Sequence, residues 1–365
     1  MRIPFLDLTR QQREIEAEAT VALTRVMVGG VFILGREVEA FEAEWARFCG
    51  VRGAAGVNSG TDALTLALIA SGAVRQGGQD EVITSPLTAA YTALAILNAG
   101  GIPVFADIAP QTYTLDPSAI ERVITPRTRA IVPVHLYGRM ADMPAICEVA
   151  ARHGLIVVED AAQSHGAQVQ GRRTSAHAAA FSFYPTKNLG AYGDGGAVTS
   201  DDETLIERVK VLRQGGNVAA FQTGVEGRNS RLDEMQAALL RIKLPHLEKW
   251  NDRRRGLAKI YDELLRGTIL HLPSAPAPEA HVYHLYVVQH PQRDLLRSHL
   301  AARGIETLIH YPFLLHQQPL FRQPSQCALP VAEDVAGKIL SLPLHSHLNE
   351  SEAREIAQAI LDFTS

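Results

Sequence analysis

FSFYPTKNLGAYGDGGAVTS, residues Phe181 to Ser200, sets a lysine where a buried strand stops. From Ala178 to Tyr184 small and aromatic residues alternate, as in a short buried strand, and Pro185 ends it. Lys187 therefore stands just past a strand end, with glycines following at 190, 193, 195 and 196. An amine on such a turn, beside backbone that a ligand can approach closely, is placed as a nucleophile. A loop lysine is ordinarily just solvated, so the reading depends on what the other segments supply.

Upstream, LIVVED (Leu155 to Asp160) reads as an apolar strand whose last residue emerges at a sheet's carboxyl edge. A carboxylate buried there is disfavoured in its ionised form unless a cation sits beside it. Farther upstream, VNSGTDALTLAL (Val57 to Leu68) gives a strand end, a Ser-Gly-Thr turn, then apolar residues at helical spacing. Glycine lets the backbone come close, and the free N–H groups of a new helix attract an anion. Gly60 and Thr61 are the expected anion contacts, with Ser182 adding a hydroxyl. Plain helix caps would look the same at Asp160 and at the Ser-Gly-Thr turn. Together, an amine, a carboxylate and an anion cradle match what pyridoxal 5′-phosphate (PLP) requires: a bond to its aldehyde, a partner for its pyridine nitrogen and donors for its phosphate.

The stretches around these residues predict the fold. EVITS (81–85), a helix from Tyr91 to Asn98, IPVFADI (102–108), RAIVPVHL (129–136), a helix from Met143 to His153 and LIVVED follow one another in strand–helix rhythm. That rhythm predicts an α/β fold with a mostly parallel sheet covered by helices, binding its ligand at the carboxyl ends of the strands. Thr61, Asp107, Asp160 and Lys187 all lie at or just past predicted strand ends. No GxGxxG opens a strand–helix unit, which counts against a dinucleotide. Before this region, Gln11 to Met27 places Ile15, Ala19, Ala22 and Val26 on one helical face, and a second helix runs from Glu37 to Phe48. After it, a long helix begins near Leu232, with Asn229 or Ser230 as candidate caps. Past Trp250 the composition shifts, and Pro273, Pro276 and Pro278 mark a linker. The expectation is a large domain over residues 1–250 and a smaller C-terminal α+β domain over 251–365. The latter should hold a strand from Tyr283 to Gln289, a helix near Asp294 to Arg303, an irregular segment from His310 to Pro330 and a last helix from Glu350 to Phe363.

Five segments, VNSGTDAL, VEDAAQSHGA, FSFYPTKNLGAYGDGGAV, GRNSRLDEMQAALL and IHYPFLLHQQP, resemble in that order and spacing the DegT/DnrJ/EryC1/StrS family of PLP-dependent nucleotide-sugar aminotransferases. The resemblance runs from PFLDL near the start to LSLPLH near the end. It implies PLP-dependent aminotransferase fold type I and transfer of an amino group from L-glutamate to a nucleotide-diphosphate-linked 3- or 4-keto sugar. It implies a homodimer with shared active sites, in which Asn229 reaches the cofactor phosphate of the neighbouring subunit. By the same resemblance Arg231, His310 and Tyr311 face the substrate, Gln163 bonds the ring hydroxyl and Ala162 leaves room for one ring face. One position departs from the pattern: Ala89 of LTAAYTALAIL stands where the family usually carries an aromatic residue that stacks on the ring. Tyr91, two residues on, is the candidate replacement. A PLP-dependent sugar dehydratase of the same fold is the alternative enzyme, but such relatives replace the lysine by histidine, so Lys187 counts against it. A non-catalytic regulatory protein of the same fold is opposed by intact Asp160, Gln163, Ser182 and Lys187.

The composition agrees. With 365 residues, 46% hydrophobic and 20% charged, the chain can bury a large core, and a net charge of −4 gives no reason to expect nucleic acid or an anionic membrane as partner. Cys49, Cys147 and Cys327 are odd in number and show no CxxC spacing, which suggests neither disulfides nor zinc. His310, His316, His345 and His347 match no metal-site spacing, so no metal is expected. The start, MRIPFLDLTRQQREIE, lacks the apolar core of a secretory signal, so a soluble cytoplasmic protein is expected.

Overall fold

The computed structural model describes residues 2–75, 77–216, 226–274, 277–322 and 328–364. Cys327, Pro276 and part of the irregular segment expected from His310 to Pro330 lie outside them.

The N-terminal arm is two helices, α1 (Leu8–Gly29) and α2 (Arg36–Cys49). The Asp7 carboxylate accepts from the N–H groups of Thr9 and Arg10 to start α1, and Gly30, at φ 68°, ends it in the left-handed region. Helix α1 buries Ile15, Ala19, Ala22 and Val26, the face its spacing predicts.

Seven strands form the main sheet: β1 (Gly53–Val57), β2 (Glu81–Thr84), β3 (Ile102–Phe105), β4 (Thr128–Val132), β5 (Ile156–Asp160), β6 (Ala178–Ser182) and β7 (Gly196–Ser200), in the order β1-β7-β6-β5-β4-β2-β3. Neighbours are parallel except β7, which runs antiparallel to both β1 and β6. Strands β1, β4, β5 and β6 therefore end at the same edge. Alternate residues of one strand serve opposite faces. Val82, Val132, Val158 and Val198 pack in one core with Leu64 and Leu66, while Ile83, Ile131 and Val157 pack in another with Ile146 and Met143. Burial on both faces is why these strands read as continuous apolar runs.

The covering helices are α3 (Gly60–Ala70), α4 (Ala90–Asn98), α5 (Pro117–Val123), α6 (Met143–His153) and α7 (Glu203–Leu212). Helix α8 (Glu234–Lys243) starts two residues later than expected, and neither Asn229 nor Ser230 caps it. The Ser230 hydroxyl is engaged elsewhere, donating to Asn58 Oδ1 at 3.0 Å. Glu234, at the start of α8, instead caps another helix: its carboxylate accepts from the N–H groups of Gly35, Glu37 and Val38. That carboxylate meets the positive end of α2, whose own N-cap position is a glycine without a side chain to offer.

Helix α9 (Leu247–Leu265) spans the 250/251 boundary. Leu247 packs in the core of the arm and sheet, whereas Leu257, Ile260, Tyr261 and Leu265 pack in the core of the C-terminal part. That part contains β8 (Tyr286–Gln289) paired antiparallel with β9 (Ile339–Leu342), and helices α10 (Arg293–Ala302), α11 (Pro330–Ala336) and α12 (Glu350–Thr364). Strand β8 is shorter than expected because Tyr283 sits at φ 45° and gives its N–H to His281 Nδ1 rather than to a neighbouring strand. Asp107, at the carboxyl edge of the main sheet, accepts from the N–H groups of Val331 and Ala332 and so anchors α11 to the large sheet.

Candidate active site

The common edge of β1, β5 and β6 brings the expected cofactor residues together. Ser59, two residues past the end of β1, has extended backbone and its hydroxyl accepts from Asp62 N–H, so α3 starts with the N–H groups of Gly60 and Thr61 unspent within the helix. This turn lies directly on β6 and β7. A Cβ on Gly60 would sit 2.5 Å from Ser182 Cβ, and one on Gly196 would sit 2.3 Å from the Ser59 carbonyl oxygen. Gly60, Thr61 and Ser182 thus form one cradle that only glycine at position 60 permits. Gly60→Ala is expected to destabilise the protein by about 1–3 kcal/mol through overpacking and to weaken PLP binding further. Thermal melts of the apo form with a PLP titration check this; an unchanged dissociation constant would show that the turn is not the phosphate site.

Asp160 ends β5, is 9% exposed and is held from two sides. Thr92 Oγ1 donates to its Oδ2 at 2.7 Å, and Ala162 N–H donates to Oδ1 at 3.2 Å. Thr92 is a residue the sequence reading missed. The available sign was its i, i+4 spacing from Thr88, which its hydroxyl meets at 3.2 Å. Tyr91 beside it is 66% exposed, so α4 starts in a register that turns Thr92 inward and Tyr91 outward.

Lys187 lies in the β6–β7 connection, its N–H donating to the Tyr184 carbonyl. The loop is pinned on both sides of the lysine. Asn188, buried, donates to Asn251 Oδ1 and the Val282 carbonyl, and Lys243 Nζ donates to the Gly190 carbonyl at 2.6 Å. Lys187 is half-buried. Burial lowers its pKa from 10.5 to about 8, against the opposing attraction of Asp160. Burial, and secondarily the charge of Lys187, takes His165 to about 3 and His310 to about 4, so both imidazoles are neutral near pH 7. An amine with a pKa near 8 rather than 10.5 offers ~300-fold more of its nucleophilic neutral form at pH 7. The rate at which apo protein captures PLP is therefore expected to rise with pH and level off around a midpoint near 8. A rate still climbing at 10.5, the value of an unperturbed lysine, would remove the desolvated amine from the account.

Gln163 is buried, with Oε1 accepting from Tyr137 N–H at 2.7 Å and Nε2 donating to Tyr311 Oη at 3.2 Å. His310 Nδ1 meets Ser341 Oγ at 2.9 Å. Gln163, His310 and Tyr311 therefore join Asp160 and Lys187 in one region. Asn229 is exposed and Arg231 half-buried, and neither side chain has a hydrogen bond or ion pair among the described residues. Both stand on the segment that follows Arg228, whose backbone pairs with Leu212 and Gly215, and Ser230 between them is buried.

These residues fit PLP. A desolvated amine, a braced carboxylate, an amide that keeps one N–H beyond the bond to Tyr311, and a glycine-built anion turn are the donor and acceptor set that the cofactor needs.

The profile of the DegT/DnrJ/EryC1/StrS aminotransferase family matches residues 13–361. The chain belongs to that family. The dTDP-3-amino-3,4,6-trideoxy-alpha-D-glucose transaminase of Streptomyces venezuelae is 48% identical to it, over 99% of this chain and 96% of that protein. The UDP-N-acetyl-3-dehydro-alpha-D-glucosamine 3-aminotransferase of Acidithiobacillus ferrooxidans is 44% identical, over 98% and 97%. Among solved structures, NtdA of Bacillus subtilis with bound cofactor PMP superposes with a TM-score of 0.92 at 32% identity, covering 99% of this chain and 85% of that one. As a member of the DegT/DnrJ/EryC1/StrS family, the protein is a PLP-dependent aminotransferase of fold type I. Among the described residues, no helix is long and apolar enough to cross a membrane.

Proposed function

We propose that this aminotransferase moves the amino group of L-glutamate to the keto carbon of a nucleotide-diphosphate-linked sugar, making an amino sugar for glycan, lipopolysaccharide or natural-product biosynthesis. The observation that carries the reading is the desolvated Lys187 amine in the field of Asp160, itself braced by Thr92. Both relatives named above act on 3-amino or 3-keto sugars linked to a nucleotide, which favours carbon 3 over carbon 4.

Lys187 would hold PLP covalently through Nζ, and Asp160 would be the partner of its pyridine nitrogen. Gly60, Thr61 and Ser182 hold the phosphate, and Gln163 donates to the ring hydroxyl. When bound, PLP supplies the electron sink that stabilises the carbanion left by proton removal. Lys187 Nζ, within the field of Asp160, would be the group that takes the proton from the donor's α-carbon and returns one to the sugar carbon that gains nitrogen. Asp160 would be the carboxylate that pairs with the pyridine nitrogen. His310 and Tyr311 line the substrate side, with neutral imidazole and phenol groups suited to sugar hydroxyls.

The cytoplasm is the proposed compartment, and a homodimer the proposed assembly. Exposed Val31, Phe32 and Ile33 lie against the start of α8, near Arg231, and Tyr184 and Tyr192 are also exposed. A second copy covering this apolar surface would bring Asn229 and Arg231 to its neighbour's site. A monomer by sedimentation at working concentration would defeat the shared-site reading.

The deciding experiment converts the enzyme to its pyridoxamine form and offers dTDP- and UDP-linked 3-keto and 4-keto sugars, following the cofactor's absorbance. Return of the aldehyde-form band with one of them is expected. Silence with all of them, alongside brisk turnover of a simple keto acid, would move the enzyme to ordinary amino-acid metabolism.

A further inference from the structure

Tyr137 has no role in the reading above, yet it is 3% exposed and sits at φ 60°, ψ 9° in a short turn after β4. A non-glycine residue in the left-handed region is uncommon and is held there by its surroundings. Both of its donors point at the site. Its N–H donates to Gln163 Oε1 at 2.7 Å, and its phenol donates to the carbonyl oxygen of His310. Gln163 in turn donates from Nε2 to Tyr311 Oη, and Tyr311 is the residue after His310. The three hydrogen bonds close a ring: Tyr137 to Gln163, Gln163 to Tyr311, one peptide link to His310, and back to Tyr137.

The ring has two consequences. With Oε1 engaged by the Tyr137 N–H and one Nε2 hydrogen given to Tyr311, the Gln163 amide keeps its second Nε2 hydrogen for a ligand, so it is oriented as a donor on the cofactor side. On the other side, the His310–Tyr311 segment, contributed by the C-terminal part of the chain, is tied to the loops of the main sheet. His310 is further fixed by Ser341 and by the Phe5 ring, 5.7 Å away between centroids. We infer that Tyr137 is a positioning residue that fixes, through its backbone, the hydrogen-bonding sense of Gln163 and, through its phenol, the placement of His310 against the acceptor sugar. This rests on the proposed reading that His310 faces the substrate.

The two ends can be tested apart. Tyr137→Phe removes the phenol and leaves the N–H in place. The Tyr137→Phe holoenzyme is expected to keep its PLP dissociation constant and cofactor absorption spectrum, while KM for the keto-sugar acceptor rises about 3- to 10-fold, the scale of one neutral hydrogen bond. His310→Asn should raise the same KM, and the double variant should be no worse than His310→Asn alone, because the phenol acts through His310. Additive effects in the double variant would overturn the inference. So would a Tyr137→Phe protein whose melting temperature, PLP affinity and kcat fall together with KM unchanged, since that is the signature of a merely structural residue. If His310→Asn leaves KM untouched, the substrate-side reading fails and the inference with it; that failure is distinguishable because it falls on a different variant.

Discussion

Lys187→Ala should lower transamination by at least about 10⁴-fold while the protein remains folded, because one side chain is proposed to supply both the covalent attachment and the proton carrier. Its neighbours do not compensate. His165 and His310 are near enough to feel the charge of Lys187, and both are neutral imidazoles near pH 7. His165 is further committed through Nε2 to the Ser182 carbonyl, and His310 through Nδ1 to Ser341. Lys243, the other buried lysine of the region, is held off by its bond to Gly190 and by the Tyr192 ring 4.3 Å from its Nζ. The loop should survive the substitution, since its anchors are Asn188 and Gly190 rather than the lysine. Borohydride reduction followed by peptide mass measurement separates attachment from activity: the parent should retain cofactor mass on the peptide containing Lys187, and the variant on no peptide. Turnover by the variant within about tenfold of the parent would transfer both roles to another group.

The parts of this site that lay within one segment were legible in the sequence, and the parts that join segments were not. Lys187 after a proline-stopped strand, Asp160 at the end of an apolar run and Gly60 in a Ser-Gly-Thr turn each declare themselves locally, because strand ends and helix starts have short-range signatures. The α1 face of Ile15, Ala19, Ala22 and Val26 was legible for the same reason. Thr92 could not be read this way, since its partner lies 68 residues away and only the tertiary fold brings them to 2.7 Å. Tyr137 was hidden for the same reason and also because its left-handed backbone has no glycine or asparagine to advertise it. Asn229 and Ser230, the candidate caps of the next helix, do not serve it: the cap position fell to Asp233, and Ser230 was drawn to Asn58. Asp107 was correctly placed at the sheet edge, but its carboxylate serves the first turn of α11 rather than a ligand.

Asp160→Asn tests the electrostatics rather than the attachment, and here the expected loss is in kcat. Asparagine has nearly the same shape, and its carbonyl oxygen can still accept from either Thr92 or Ala162, so one of the two braces is kept. What disappears is the negative charge. A neutral amide opposite the pyridine nitrogen no longer favours its protonated form, and the ring withdraws electrons less well just when the α-proton leaves. Loss of one preorganised electrostatic contact in a site shielded from water corresponds to roughly 10²- to 10³-fold in kcat. The Lys187 amine responds in the opposite sense to burial: Asp160 raises its pKa while desolvation lowers it, so removing the charge should bring the midpoint for PLP capture by the apo protein below about 8. The two readouts move independently of protein stability, which thermal melting follows separately. A variant with kcat within about threefold of the parent and an unshifted capture midpoint would place the carboxylate away from the ring. A large fall in kcat with the midpoint shifted down would tie both effects to one charge, the arrangement expected if Thr92 turns the Asp160 carboxylate toward the amine and the ring together.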